Sequence, residues 1–509
     1  MPSILFKPKT ANIEYRVYLR GAIEKEVLIV GLRTPAQFRE SLRDGREVWI
    51  GGQRIDDVTE HPALKVGVET ACIDYAVSED QSCRSFAVVR DGTDMYSRYF
   101  LAPRSIEDLL LRRRLIEECS RRAYGVVPLA KDAGSDGLNA LSIIAPKIDR
   151  DKGTEYASRV EAFRRYLQRR DLSVALAMTD PKGDRTRRPW QQVRPDYYLR
   201  VIERRTGGMV VRGAKFHVST APYTNELLVL PTRAMTESDR EFAVAFAVPV
   251  NTPGIVIVAR ASHEARDHPD EHPVSSRYAL IEGTVVFRDV FVPEDRVFLC
   301  GEWEWAGRLV EMFANFHRFT AAAYKYPALC LLVGTAAWIA ICNGTDRVPH
   351  IRDKIVGLLA YAETVRALSL AAAVDARVDG DTGIHIPNPL TGNLAKLYFA
   401  EHFHSAVRAL QDVAGGLTVT APHIVDWEHP YLHELLEPFL GGPNGITAEE
   451  RFRAFKLVRD LVASDFGGFW EVATIHAEGS IAAERLAIER EINVGELVSY
   501  ARSIGLRVP

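Results

Sequence analysis

Between about residues 172 and 298 the apolar side chains recur every second position, while on either side they recur every three to four. A period of two belongs to strands and a period near 3.6 to helices, so this chain can be neither one sheet nor one bundle throughout. Within the central stretch, YYLRVIERRTGGMVVRGAKFHVST reads as strand, Gly207-Gly208 turn, strand. NELLVLPT, FAVAFAVPV, GIVIVAR and GTVVFRDVFVP follow as further short strands. Strands so closely spaced predict a compact β-barrel or sandwich of their own.

Residues 1–35 alternate weakly and read as an extended arm. Thr34, Pro35 and Gln37 then supply an N-cap, a proline at the first helical position and a capping-box partner. Ser105 caps a second helix, with Ile106, Leu109, Leu110 and Ile116 on its inward stripe. The helical period carries on through YLQRRDLSVALAM. From GEWEWAGRLVEMF onward, long segments with apolar stripes predict a bundle. The expectation is an α+β chain: arm 1–35, helical domain 36–171, β-barrel 172–298, helical bundle 299–509.

Charge and cysteines narrow the partners. With 64 basic and 67 acidic residues the net charge is -3, so no field of one sign gathers phosphates or anionic lipid, and nucleic acid is not expected as a partner. The six cysteines show no CxxC spacing, which suits free thiols in a reducing compartment. MPSILFKPKT has no apolar signal core, and the longest apolar run, ALCLLVGTAAWIAIC, is 15 residues, against the roughly 20 that span a bilayer. These features predict a cytoplasmic protein without membrane attachment.

Several residues invite chemistry. In ALAMTDPKGDRTRRP, Pro181 and Gly183 keep the backbone out of helix, leaving the amides of Lys182, Gly183 and Asp184 to meet a flavin or phosphate oxygen; the alternative is a plain surface loop. His317 sits among small and apolar residues in FANFHRFTAAAYKYP, as a ligand, a catalytic group or a core histidine with a hidden partner. RRRLIEECSRR reads as a solvated face with an inward stripe, and Gly415-Gly416 as a helix C-cap. His402 and His404, two apart on a helix, face different ways, which is poor geometry for one metal.

The TDPKGDR loop, RTPAQFRESLRDGREVWIGGQRIDDVTEHPAL near the start and HPVSSRYALIEGTVVFRDVFVPEDRVFL in the middle together resemble the 4-hydroxyphenylacetate 3-hydroxylase family, most nearly its 4-hydroxybutyryl-CoA dehydratase branch. The resemblance runs from about residue 33 to the C-terminus. It implies an acyl-CoA dehydrogenase-like fold, FAD held between barrel and bundle, and a homotetramer assembled through the bundle. By the same resemblance the flavin contacts are Lys182, Gly183, Asp184 and Arg185 of the loop, Ser219, and a glycine turn at Gly467 and Gly468. A GxGxxG fingerprint is absent, so the nucleotide is not expected to sit in Rossmann fashion.

The departures from the family matter as much as the matches. In the dehydratase branch the histidine matching His317 and three cysteines hold a four-iron cluster; here those cysteine positions carry Tyr324, Pro128 and Asp132, so no iron-sulfur cluster and no other metal is expected. Glu282 and Lys325 match active-site positions, but a family tyrosine aligns with Ala321 and a glutamate with Ala473. The phenol-hydroxylase branch is matched no better, since its arginine, tyrosine and histidine align with Leu129, Ala133 and Leu176. The resemblance implies a flavin-dependent oxidoreductase, a two-component monooxygenase using O2 and reduced FAD from a separate reductase, on a phenolic or thioester-bound substrate. Its catalytic candidates are His317, Glu282, Tyr324 and Lys325. A cluster-free dehydratase or double-bond isomerase acting on an acyl thioester, and a non-catalytic flavin-binding scaffold, are the alternatives.

Overall fold

A computed structural model describes residues 31–264 and 268–506, so the arm expected over 1–35 falls almost wholly outside the described residues. The first helix, Pro35–Glu40, starts as its sequence demands: Thr34 Oγ1 accepts the Gln37 amide at 3.2 Å while Gln37 Oε1 accepts the Thr34 amide at 2.9 Å. Helices Pro62–Glu79, Ile106–Arg122, Asp132–Lys152 and Tyr156–Arg170 follow, the second of them capped by Ser105.

The strands are β1 (Val48–Ile50), β2 (Gln53–Ile55), a separate hairpin of β3 (Val88–Asp91) and β4 (Asp94–Ser97), β5 (Val174–Ala177), β6 (Arg200–Arg205), β7 (Gly208–Ser219), β8 (Glu226–Val229), β9 (Val244–Pro249), β10 (Ile255–Ala261), β11 (Ile281–Pro293) and β12 (Val297–Cys300). They form a six-stranded sheet in the order β2-β1-β10-β11-β7-β6 and a four-stranded sheet in the order β12-β9-β8-β5. The expected barrel is therefore two open sheets. Phe246 of β9 and Phe287 of β11 meet edge to face across them, with ring centroids 5.9 Å apart.

Two expectations change in detail. SVALA is strand, not helix: the helix before it stops at Arg170, where Asp171 turns left-handed at φ 46° and accepts the buried Lys131 ammonium at 2.8 Å. Val174–Ala177 then pairs parallel to β8, and a short apolar run buried this way carries no periodic sign that separates strand from helix. β1 and β2, from the stretch expected to be helical, complete the larger sheet, with β1 parallel to β10.

The remaining helices include Trp303–Cys342, Pro349–Val374, Pro389–Ala414, Pro430–Leu440, Ala448–Val462, Asp465–His476, Ile481–Glu491 and Val494–Gly505. The 15-residue apolar run lies inside the first of these, a helix of 40 residues. By length and apolarity both Trp303–Cys342 and Pro349–Val374 could cross a bilayer, yet 56% of the most apolar window of the longer one is buried inside the fold. That burial makes it a central helix of the bundle, packed against the N-terminal helices Ile106–Arg122 and Asp132–Lys152 and the C-terminal helices Pro349–Val374 and Pro389–Ala414.

Candidate active site

The TDPKGDR loop is hooked onto a bulge in β7. Glu282 of β11 pairs with Ser219 and Gly283 with Val218, but Val285 pairs with Lys215, so β7 carries one extra residue around Phe216 and His217. His217 takes φ 55° to absorb it, and such a bulge re-aims the side chains beside it. The Phe216 amide donates to Thr179 O at 2.7 Å, and the buried Lys215 ammonium reaches Met178 O at 2.8 Å and Asp180 Oδ1 at 2.9 Å. Asp180 also accepts the Leu199 amide at 2.9 Å and the Thr232 hydroxyl at 2.5 Å, which fixes the loop at its root.

Two of the three loop amides expected to be free, those of Lys182 and Asp184, are engaged within the fold. The Lys182 amide donates to Tyr197 O at 3.3 Å and the Asp184 amide to Gln192 Oε1 at 3.1 Å. Both acceptors come from the segment that folds back before β6, which residue patterns in the loop alone could not reveal. Gly183 is left-handed at φ 52°, and a Cβ there would lie 2.5 Å from the Tyr197 ring. What the loop offers is cationic side chains. Burial, then Arg185 and Arg233, hold the Lys182 ammonium below its ordinary range, while burial, Lys182 and Arg185 push the His217 imidazole down. Asp184 turns back to accept from Thr186.

Two residues from His217, the Ser219 hydroxyl donates to Glu282 Oε1 at 2.8 Å. Burial raises the Glu282 carboxyl to about 7, against a smaller lowering by the Ser219 bond. Glu282 Oε2 and Thr220 Oγ1 are buried with no hydrogen-bond partner among the described residues. Buried polar atoms left without a partner on neighbouring strand ends are what a site keeps for a polar ligand edge.

His317, on the long helix, has a partner: its Nδ1 lies 3.1 Å from Asp136 Oδ2 on the facing helix Asp132–Lys152. Asp136 Oδ1 accepts from Arg112 Nη2 at 2.6 Å and from the Thr320 hydroxyl at 3.0 Å. Phe313 stacks on the imidazole, with centroids 4.9 Å apart and planes 23° apart. The expectation for RRRLIEECSRR is corrected here, because Arg112 and Arg113 are buried, Arg113 donating to Ser369 Oγ at 3.0 Å. A guanidinium comes inward because Asp136 compensates its charge.

Two turns beyond His317, Tyr324 and its neighbour Lys325 are also buried. The Lys325 ammonium donates to Glu478 Oε2 at 2.6 Å and to the Tyr324 hydroxyl at 3.3 Å. Burial, then Lys396, lower the Lys325 ammonium well below its ordinary range, and burial, then Glu484, raise the Glu478 carboxyl well above its own. Asp132, at one of the replaced cysteine positions, accepts the Ala133 amide at 2.7 Å, and burial, Asp74 and Asp136 raise its carboxyl. Tyr324, Leu129 and Ala321 share one apolar cluster, against which Leu280 packs just ahead of Glu282.

Gly467 and Gly468 form the first turn of the helix Asp465–His476 instead of a free glycine turn, their amides donating to Ser464 Oγ and Ser464 O, each at 3.0 Å. A Cβ on Gly467 would lie 2.7 Å from Leu461 O, so packing alone accounts for that glycine. Asp136, Arg112 and Glu478 were missed from sequence as members of the site, and Asp132 was noted only as standing at a replaced cysteine position. For Asp132 and Asp136 the signal was two carboxylates one turn apart in a mostly small and apolar stretch; Arg112, in a highly charged helix, and Glu478, between helices, carried no such signal. A surface cleft of about 620 Å³ beside Arg39, Glu69 and Arg277 contains none of the candidate residues.

Comparison with known proteins bears on this geometry. Residues 34–299 match the model of the 4-hydroxyphenylacetate 3-hydroxylase N terminal region and residues 306–505 that of the C terminal region. The chain is 29% identical to the 4-hydroxybutyryl-CoA dehydratase/vinylacetyl-CoA-Delta-isomerase of Clostridium aminobutyricum, over 93% of this chain and 99% of that one. It is 30% identical to the oxygenase component of the 4-nitrophenol 4-monooxygenase/4-nitrocatechol 2-monooxygenase of Rhodococcus opacus, over 87% of this chain and 84% of that one. The solved oxygenase component of 4-hydroxyphenylacetate 3-monooxygenase, complexed with FAD, superposes with a TM-score of 0.86 at 27% identity, covering 94% of this chain and 99% of that one.

Proposed function

Because the chain belongs to the 4-hydroxyphenylacetate 3-hydroxylase family, we propose that it is the oxygenase component of a two-component flavin-dependent monooxygenase, with an acyl-CoA dehydrogenase-like architecture and a homotetrameric assembly. The observation that carries the reading is the pairing of a cationic loop with a carboxyl-bearing strand on one β-bulge. Lys182 and Arg185 would supply cationic donors to a pyrophosphate, and the unsatisfied atoms of Thr220 and Glu282, with the Ser219 hydroxyl, would hold a polar flavin edge. Gly467 and Gly468 would meet the cofactor from the bundle. Reduced FAD, delivered by a separate flavin reductase, would supply two electrons to O2, one oxygen atom entering the substrate and the other leaving as water.

The chain's own residues handle protons and exclude solvent. His317 takes the proton of a substrate hydroxyl or of the carbon being oxygenated, and Glu282, raised to about 7, holds a proton near neutral pH and can release it. Lys325, itself held by Glu478, fixes the position of the Tyr324 hydroxyl. Tyr324 and Asp132 replace thiolate positions with oxygen groups already engaged in this fold, which supports a pocket working without an iron-sulfur cluster.

The substrate is phenolic or thioester-bound. Retention of His317, Glu282 and Lys325 favours, as a second reading, redox-neutral dehydration or isomerisation of an acyl thioester. Assays with the wild-type chain, reduced FAD and either 4-nitrophenol or 4-hydroxybutyryl-CoA separate the two. Oxygen uptake with label from 18O2 in the product is expected; turnover that proceeds without oxygen would replace the first reading by the second.

A further inference from the structure

We propose that Asp136 is a positioning residue: held by Arg112 and Thr320, it fixes the tautomer of His317 so that the ring turns an unprotonated Nε2 toward the reacting group. The inference rests on the reading of His317 as the proton-handling group. Asp136 is completely buried, and both of its oxygens are engaged. Oδ1 takes the Arg112 guanidinium at 2.6 Å and the Thr320 hydroxyl at 3.0 Å, leaving Oδ2 for the imidazole at 3.1 Å. A carboxylate paired with a guanidinium only accepts, so His317 Nδ1 must be the donor, and the lone pair falls on Nε2.

The supports are themselves held. Arg112 Nη1 donates to Tyr99 O at 2.9 Å, and Nη2, besides Asp136, lies 2.8 Å from Ser135 Oγ and 3.3 Å from Asp132 O, so both ends of the guanidinium fork are anchored beside Asp136. Thr320 lies one turn beyond His317 on the same helix face, so a single aspartate reads both. Phe313, one turn before, fixes the plane of the ring by stacking. The side chain of His317 keeps 14% of its surface exposed while Asp136 has none, so the open side of the pair is the imidazole. An ion pair serving the fold alone needs Arg112 and Asp136; the histidine adds a polar group that faces outward from it.

The full chain labelled with 15N-histidine tests this, His317 being assigned by the signal lost in His317→Ala. In the wild type, Nδ1 is expected to carry the proton and Nε2 to be bare; a protonated Nε2 in the neutral ring overturns the proposal without any variant of Asp136. In Asp136→Asn that tautomer preference is expected to be lost. Turnover of 4-nitrophenol or 4-hydroxybutyryl-CoA, whichever the wild type accepts, should fall in kcat by about 10²-fold with KM little changed. If His317→Ala loses turnover while Asp136→Asn keeps it, or loses it through KM alone, Asp136 does not position the base. If His317→Ala is as active as the wild type, the reading of His317 itself fails.

Discussion

A glutamate in water ionises freely, but Glu282 lies on β11, an interior strand between β10 and β7, and its Oε2 is buried. It stands opposite Ser219 of β7; one oxygen receives a hydroxyl and the other has no hydrogen-bond partner among the described residues. Desolvation therefore outweighs the single hydrogen bond, and the carboxyl moves from 4.5 to about 7. The charged form is worse in the fold than in the unfolded chain, so wild-type stability falls as pH rises from 4.5 to about 7 and levels off above. Glu282→Gln keeps an acceptor for Ser219 and removes the ionisation. In urea unfolding of the flavin-free chain, the variant should match the wild type near pH 4.5 and become more stable by on the order of 2 kcal/mol above pH 7. A difference that stays constant across that window would mean that Glu282 is solvated, and would withdraw it as a proton donor at neutral pH.

At the scale of elements, the segment between Asp465–His476 and Ile481–Glu491 is bound into the bundle by buried charge. Glu478 reaches Lys325 at 2.6 Å, and the Lys396 ammonium lies 3.8 Å from Glu478 and 3.5 Å from Glu484. Arg318 donates to Glu478 O at 3.2 Å and to the Asn393 side chain. Removing one partner of a buried pair leaves the other uncompensated, so Glu478→Leu should cost about 3 kcal/mol. Adding Lys325→Met removes the stranded ammonium and should restore most of that loss, measured as the coupling in a double-mutant unfolding cycle. Additive losses would show that the pair contributes nothing as a pair. The same elements show what sequence could carry. Alternation marked the strands, but it was the family resemblance that singled out Ser219 and Glu282, and the pairing of β7 with β11 brings them into direct contact. The partners of His317 and Lys325 lie 181 and 153 residues away in the chain. No local period records such distances, and a lone histidine or lysine in an apolar helix looks the same with or without them. SVALA failed for the opposite reason, since its neighbours are all apolar and either period fits.

The whole molecule leaves more apolar surface in water than a chain with two large cores requires. Helix Val494–Gly505 has no buried residue at all, and Leu497, Tyr500 and Ile504 are 59%, 70% and 62% exposed. On helix Pro349–Val374, Val356 and Leu359 are 60% and 46% exposed, and on helix Pro430–Leu440 Phe439 is 83% exposed. Exposed patches of this extent call for a covering surface. One self-complementary face closes a dimer and stops there, whereas a second, distinct face joins two dimers with D2 symmetry. The apolar faces of Pro349–Val374 and Val494–Gly505 belong to different helices, which is the argument for four copies over two. Light scattering at micromolar concentration is expected to give a mass near four times the 56.9 kDa of the chain. Leu497→Asp with Ile504→Asp places charge on the C-terminal face only, so the variant should fall to dimers while its far-UV spectrum stays that of the wild type. A wild type that scatters as a monomer would leave these faces to some other partner, and a doubly charged variant that remains tetrameric would show that Val494–Gly505 lies outside the assembly.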